Sequence, residues 1–172
     1  MKAKPFTKEQ IADLVENLEY NAETGQLHWT NNRSPKARAG MVAGGMKTTG
    51  YVAVLLNGKR YMAHRVVWLL AKGHDAPMEI DHIDGDKKNN KIENLRLCTR
   101  SQNVCARKYR TGNTGVRGLR ERVRNGWTHY EARIKKDGKR FTKTFPISMR
   151  GDAIAWLATM RDELHGDFAC HQ

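Results

Sequence analysis

The sequence predicts an α+β fold in which short antiparallel hairpins alternate with separate helices. Three observations carry this. Asn57-Gly58 and Asp137-Gly138 each join two strand-like runs, and such dipeptides suit the two-residue primed turns of hairpins. Apolar residues recur at helical spacing in residues 7–20 and 148–164. Between them, residues 79–83 and 95–98 read as two strands around a polar loop, with a helix after the second. A chain of 172 residues holds one domain or two small ones.

Taken in order, residues 7–20 (TKEQIADLVENLEY) predict a short amphipathic helix, with Ile11, Leu14, Val15 and Leu18 on one face. Residues 21–25 are turn-like, 26–30 (QLHWT) a strand and 31–40 a polar, basic loop. Residues 51–56 and 59–62 form a hairpin around Asn57-Gly58. Residues 64–72 (HRVVWLLAK) form an apolar helix stopped by Gly73. After the strand–loop–strand, Thr99 caps a helix over residues 100–108, and residues 109–113 form a short linker. Strands follow at 116–123, 130–136 and 139–145. The closing helix carries Ile154, Leu157, Met160 and Leu164 near helical spacing.

The net charge is +13, which makes a polyanion the leading partner. Residues 111–147 are the densest block, with ten basic and three acidic side chains, and residues 148–172 are acidic. Cys98, Cys105 and Cys170 include no C-x-x-C pair, so neither a disulfide framework nor a zinc ribbon is indicated, and free thiols in a reducing cytosol are expected. No apolar run reaches the roughly 18 residues of a membrane span, and residues 1–11 have no signal-peptide core.

Residues 80–103, IDHIDGDKKNNKIENLRLCTRSQN, gather seven Asp and Asn side chains around His82. An EF-hand fails: anchoring its glycine on Gly85 puts Lys91 at position 12, where Glu is required. In a strand–loop–strand–helix, Asp81 and Asn103 can instead hold one hard cation through oxygen, as Mg²⁺ prefers. His82 stands beside it as a base for water. Asp84, Asp86, Asn89 and Asn90 need no ligand to be there, since Asp and Asn are turn formers. Asn94 suits an amide that locks the loop through backbone groups.

At these residues the chain resembles the HNH endonucleases of the phage and intron-homing type. The resemblance rests on His64-Arg65, the run from Asp81 to Asp86, Asn89-Asn90, Glu93-Asn94-Leu95 and Ser101-Gln102-Asn103. It implies the ββα-metal fold over roughly residues 60–108, with one divalent ion, Mg²⁺ or Mn²⁺, on Asp81 and Asn103. It further implies His82 as general base and Asn94 as support of the loop and of that histidine. His64 and Arg65 become candidate phosphate contacts, with helix capping or packing as the equal alternative. The other histidines, His28, His74, His129, His165 and His171, lack a metal-like constellation.

The basic block alternates charged and apolar residues, so Ala132 and Ile134 should face one side of a strand and Arg133 and Lys135 the other. Arg117, Arg120, Arg122 and Arg124 crowd the preceding strand, and Trp127 and Tyr130 can pack against sugars. GVRGLRERVRNGWTHYEARIKKDGKRFTKTF, followed by DAIAWLATMRDELHGDFA, resembles an AP2/ERF-type DNA-binding domain. That family implies a three-stranded antiparallel sheet packed on one helix. Its sheet lies in the major groove, with Arg117, Arg120, Arg122, Tyr130 and Arg133 on contact-prone positions. Arg124, Lys135 and Arg140 extend the candidate DNA-binding set.

Residues 1–60 are thus expected to form an N-terminal extension with a helix and β-hairpin, 61–110 the HNH core and 111–172 the AP2/ERF-like domain. The expected function is a homing-like, phage-encoded endonuclease acting on double-stranded DNA as a monomer in the host bacterial cytoplasm. The alternative is a DNA-binding regulator with an inactive HNH remnant, which the intact Asp81, His82, Asn94 and Asn103 disfavour.

Overall fold

A computed structural model describes residues 4–106 and 113–169. The chain divides into two compact units, residues 1–99 and 100–172. Among the described residues, the first combines three small antiparallel sheets with helices, and the second one three-stranded antiparallel sheet with helices.

In the first unit, helix α1 (Lys8–Asn17) starts at a capping box. Thr7 Oγ1 accepts from the Gln10 N–H at 3.2 Å, and Gln10 Oε1 accepts from the Thr7 N–H at 3.0 Å. The helix ends sooner than the periodicity of residues 7–20 predicts, because Leu18–Asn21 is strand β1, paired antiparallel with β2 (Gln26–Trp29). Pairing buries Leu18, Leu27 and Trp29 together, and that burial overrides a helical propensity worth only tenths of a kcal/mol per residue, about 0.7 at most. Strands β3 (Val42–Ala43) and β4 (Gly45–Met46), two residues each, lie where the sequence shows no strand pattern. Strands β5 (Val52–Leu56) and β6 (Lys59–Met62) form the expected hairpin, with Asn57 and Gly58 at φ 49° and 72°. Helix α2 (Ala63–Lys72) buries Val66, Val67, Trp68 and Leu69 and stops at Gly73 in the left-handed conformation. Strands β7 (Glu79–His82) and β8 (Leu95–Cys98) form a two-stranded sheet. One core joins these pieces through Leu14, Leu27, Val54, Val67, Ile80 and Leu95. Each such fully buried aliphatic contributes about 1.5–3 kcal/mol. Cys98 is a buried free thiol, and burial pushes its pKa up to about 11. The side chains of Cys105 and Cys170 lie outside the described residues.

The second unit opens with α3 (Arg100–Ala106), where the Ser101 hydroxyl donates to Asp137 Oδ1 at 3.0 Å. The expected continuation to residue 108 and most of the expected linker fall outside the described residues. Strands β9 (Leu119–Arg124), β10 (Trp127–Lys136) and β11 (Lys139–Pro146) form one antiparallel sheet in the order β11–β10–β9. The first begins later than residue 116 because Gly118 turns the chain at φ 80°. The Gly118 carbonyl accepts from the Arg133 N–H at 2.7 Å, and a Cβ at Gly118 would lie 2.5 Å from the Arg133 carbonyl oxygen. Only glycine fits there. Helix α4 (Arg150–His165) buries Ala153, Leu157 and Arg161 rather than the expected stripe of Ile154, Leu157, Met160 and Leu164. Small Ala153 lets the helix close on Leu119, Tyr130, Ala132 and Phe145, while the Arg161 guanidinium donates to the Arg117 carbonyl. Among the described residues, no helix is long and apolar enough to cross a membrane.

Candidate functional site

Strand alternation in β7 sends Asp81 and His82 to opposite faces. His82 is buried, whereas Asp81 lies beside its cross-strand partner Arg96. Asp81 Oδ2 accepts from Arg96 Nε at 3.0 Å and from Nη2 at 2.9 Å. Sequence reasoning missed Arg96. Its signal is the register, which places it opposite Asp81, and register is not written in either strand alone.

The His82 ring meets three side chains. His64, from the first turn of α2, lies edge-on with centroids 5.3 Å apart, and the Tyr51 ring lies at 6.1 Å. Tyr51 and His64 are themselves 5.5 Å apart. Lys87 Nζ sits 4.5 Å from the Tyr51 ring centre and donates to the Thr49 carbonyl at 2.9 Å. Burial, followed by the fields of His82 and Arg65, pulls the His64 pKa down to about 3, so this imidazole is neutral at physiological pH. The third neighbour is Asn90, whose Oδ1 lies 3.0 Å from His82 Nε2. The sequence reading assigns Asn90 to the loop alone.

Asn94 acts on the loop. Its Oδ1 accepts from the Asp84 N–H at 3.1 Å, and its Nδ2 donates to Asp84 Oδ1 at 3.0 Å and to the Asn89 carbonyl at 2.8 Å. Its own carbonyl accepts from the Ile83 N–H at 2.9 Å, next to His82. One amide thus closes the turn between β7 and β8. Burial raises the Asp84 pKa, but hydrogen bonds from Asn89, Asn94 and the Asp86 N–H outweigh it and hold the carboxyl below its usual value. Asp86 Oδ1 accepts from the Lys88 N–H at 3.0 Å, which is turn chemistry.

Arg65 is engaged elsewhere. Its Nη2 donates to both Asp75 oxygens, at 2.8 and 2.6 Å, its Nη1 donates to the Lys4 carbonyl, and its guanidinium covers the Phe6 ring at 4.1 Å. These contacts correspond to the packing alternative for Arg65, whereas His64 stands against His82. Asn103 is half-buried on α3 in the second unit. Among the described residues, no group of three or more His, Cys, Asp or Glu can hold a metal. Asp81 by itself offers a carboxylate, the kind of hard oxygen donor that Mg²⁺ prefers.

In the second unit the strand register sorts the basic block. Arg120, Arg122 and Arg124 pair with Glu131, His129 and Trp127, so these six share the sheet face away from α4, with Arg133, Lys135 and Arg140. The alternation expected for residues 132–135 holds, with Ala132 and Ile134 buried. Tyr130 is corrected. It is 6 % exposed on the α4 side with its hydroxyl toward Glu121, because its even position follows Ala132 into the core. Arg117 precedes β9 and is half-buried. Trp127, at 80 % exposure, stands at the tip of the β9–β10 hairpin. Glu131, which the sequence did not single out, accepts from Arg122 Nε at 3.4 Å and from Arg133 Nη2 at 2.7 Å. Burial raises its pKa, but the two arginines hold it below the usual carboxylate value.

The β7-to-α3 segment lies within a match to the HNH endonuclease family model, over residues 61–105. The chain is also 34% identical over 109 residues to "Protein 3.8" of Escherichia phage T7, a match spanning 62% of this chain and 86% of that protein. It is 33% identical over 124 residues to "Uncharacterized HNH endonuclease L560" of Acanthamoeba polyphaga mimivirus, spanning 70% of this chain and 62% of that longer protein. Residues 61–105 of the chain are thus similar to the HNH endonuclease family. The matched segment lies mainly in the first unit, on β6, α2, β7 and β8, and extends into α3. No solved structure matches the chain significantly.

Proposed function

We propose that this protein is an endonuclease that hydrolyses a phosphodiester bond of duplex DNA with one Mg²⁺ or Mn²⁺ ion. The observation that carries this reading is the buried His82 ring, held by Asn90 and walled by His64, inside the family segment. His82 takes the proton from the attacking water. Asp81 would offer the ion a carboxylate oxygen and Asn103 an amide oxygen, and Asn94 keeps the β7–β8 loop closed behind His82. A bound divalent ion supplies positive charge for the scissile phosphate and the departing 3′ oxygen. The neutral His64 edge adds bulk beside His82 without adding a competing charge. The exposed arginine face of β9–β10–β11 reads DNA as an AP2/ERF-like sheet, and the match to a phage protein supports a phage-encoded role, within which the homing-like one is our own reading. In this reading residues 61–110 cut, residues 111–172 recognise the site and residues 1–60 extend the nuclease unit of a monomer in the host cytoplasm.

The test is nicking of supercoiled plasmid with Mg²⁺. Wild type should convert closed circles to open ones, and His82→Ala should lower the rate by about 10²–10⁴. The ion pair that Arg96 makes with Asp81 favours the second reading, a DNA-binding regulator with an inert site. If wild type binds the plasmid and leaves it closed at every Mg²⁺ and Mn²⁺ concentration, that reading replaces the first.

A further inference from the structure

We propose that Asn90 is a positioning residue for His82, and that the β1–β2 hairpin exists in part to hold it in place. This rests on the nuclease reading for its consequence, though its geometry stands apart from it. Asn90 is 4 % exposed, and its Nδ2 donates to the Lys88 carbonyl at 3.2 Å. A carbonyl only accepts, so the nitrogen end of the amide faces Lys88 and the oxygen end faces His82. The ring nitrogen at 3.0 Å from that oxygen, Nε2, must therefore carry the hydrogen. The lone pair is left on Nδ1. One buried amide thus selects which nitrogen of His82 is available to receive a proton.

The segment bearing Asn90 is fixed from the far end of the sequence. The Tyr20 hydroxyl oxygen on β1 accepts from the Ile92 N–H at 2.9 Å, across 72 positions. Gly25, in the turn of the same hairpin at φ 75°, presses on the same backbone. A Cβ there would lie 2.7 Å from Lys91 N and 3.1 Å from the Asn90 carbonyl carbon. Asn89 and Asn94 bond within the loop, whereas Asn90 turns its oxygen onto the ring of the proposed base. The hairpin therefore acts on His82 through Asn90, which gives residues 18–29 a role beyond added core.

The experiment uses ¹⁵N-labelled full-length protein, without DNA or metal, and reads the tautomer from the ring nitrogen shifts of His82, assigned by their loss in His82→Gln. Wild type should show the Nε2–H form. Asn90→Ala should show a mixture, with plasmid nicking kcat down about ten- to hundredfold and little change in KM for DNA. Asn90→Asp keeps an acceptor oxygen toward His82 but loses the donor to the Lys88 carbonyl, so turnover should fall between wild type and Asn90→Ala. Tyr20→Phe, which removes only the hydroxyl, should lie between wild type and Asn90→Ala in both readouts. An Nδ1–H tautomer in wild type overturns the proposal without any variant having to fold. So does undiminished turnover in Asn90→Ala. Absence of nicking by wild type with the Nε2–H form present sinks the nuclease reading instead, so the two failures are told apart.

Discussion

At the scale of single residues, the histidines at the candidate site differ by environment. His64 keeps its neutral form to about pH 3, against an ordinary value near 6.5. Between those two values the unfolded chain binds a proton at this position and the folded chain does not. Stability is therefore fully present above pH 6.5 and falls as the pH drops toward 3. Urea midpoints at pH 7 and pH 4.5 should separate for wild type and converge in His64→Phe, which keeps the bulk and removes the proton site. Asp84 works in the same direction lower down, because its depressed carboxyl stabilises the loop above its usual range and loses that hold on protonation. The strand that carries Asp81 and His82 was legible in the sequence, because residues 79–83 read as a strand ahead of a turn-rich loop. Asn90 was not, because a loop asparagine that bonds its own turn and one that bonds a histidine read the same until the loop is folded.

At the scale of elements, turn chemistry was the most legible feature. Asn57-Gly58 and Asp137-Gly138 specify their hairpins through positive φ at both residues, a local requirement that needs no distant partner. Strand β1 was hidden for the opposite reason, since LEY continues a helical pattern and becomes a strand only when Leu18 meets Trp29. Gly118 shows the same dependence on tertiary contact. Gly118→Ala adds a Cβ against the Arg133 carbonyl at a backbone angle alanine resists, and should destabilise the second unit by about 1–3 kcal/mol. A calorimetric Tm unchanged by this substitution would remove the close approach from the account. On the sheet itself, Arg133→Ala should weaken duplex DNA binding in a mobility-shift titration, whereas Tyr130→Phe, altering a core-side hydroxyl, should leave the affinity within about twofold.

At the scale of the whole molecule, the two units carry different chemistry, with the β7–β8 loop in one and the arginine face in the other. Removing residues 114–172 should abolish site preference while slow, unselective nicking persists, as read by mapping cut positions on a plasmid bearing a bound site. Full site preference in the shortened protein would show that recognition resides elsewhere. The net charge of +13 announced a polyanionic partner, but its layout was not legible, because which arginines share a face depends on where β9 pairs with β10. Glu131 adds a consequence for that layout. It already serves as counter-ion to Arg122 and Arg133, so for DNA held on this face those two guanidiniums displace fewer condensed cations than their charge suggests. The logarithmic salt slope of binding should then be shallower than a count of basic side chains gives, and Glu131→Gln should steepen it by about one ion per phosphate newly engaged.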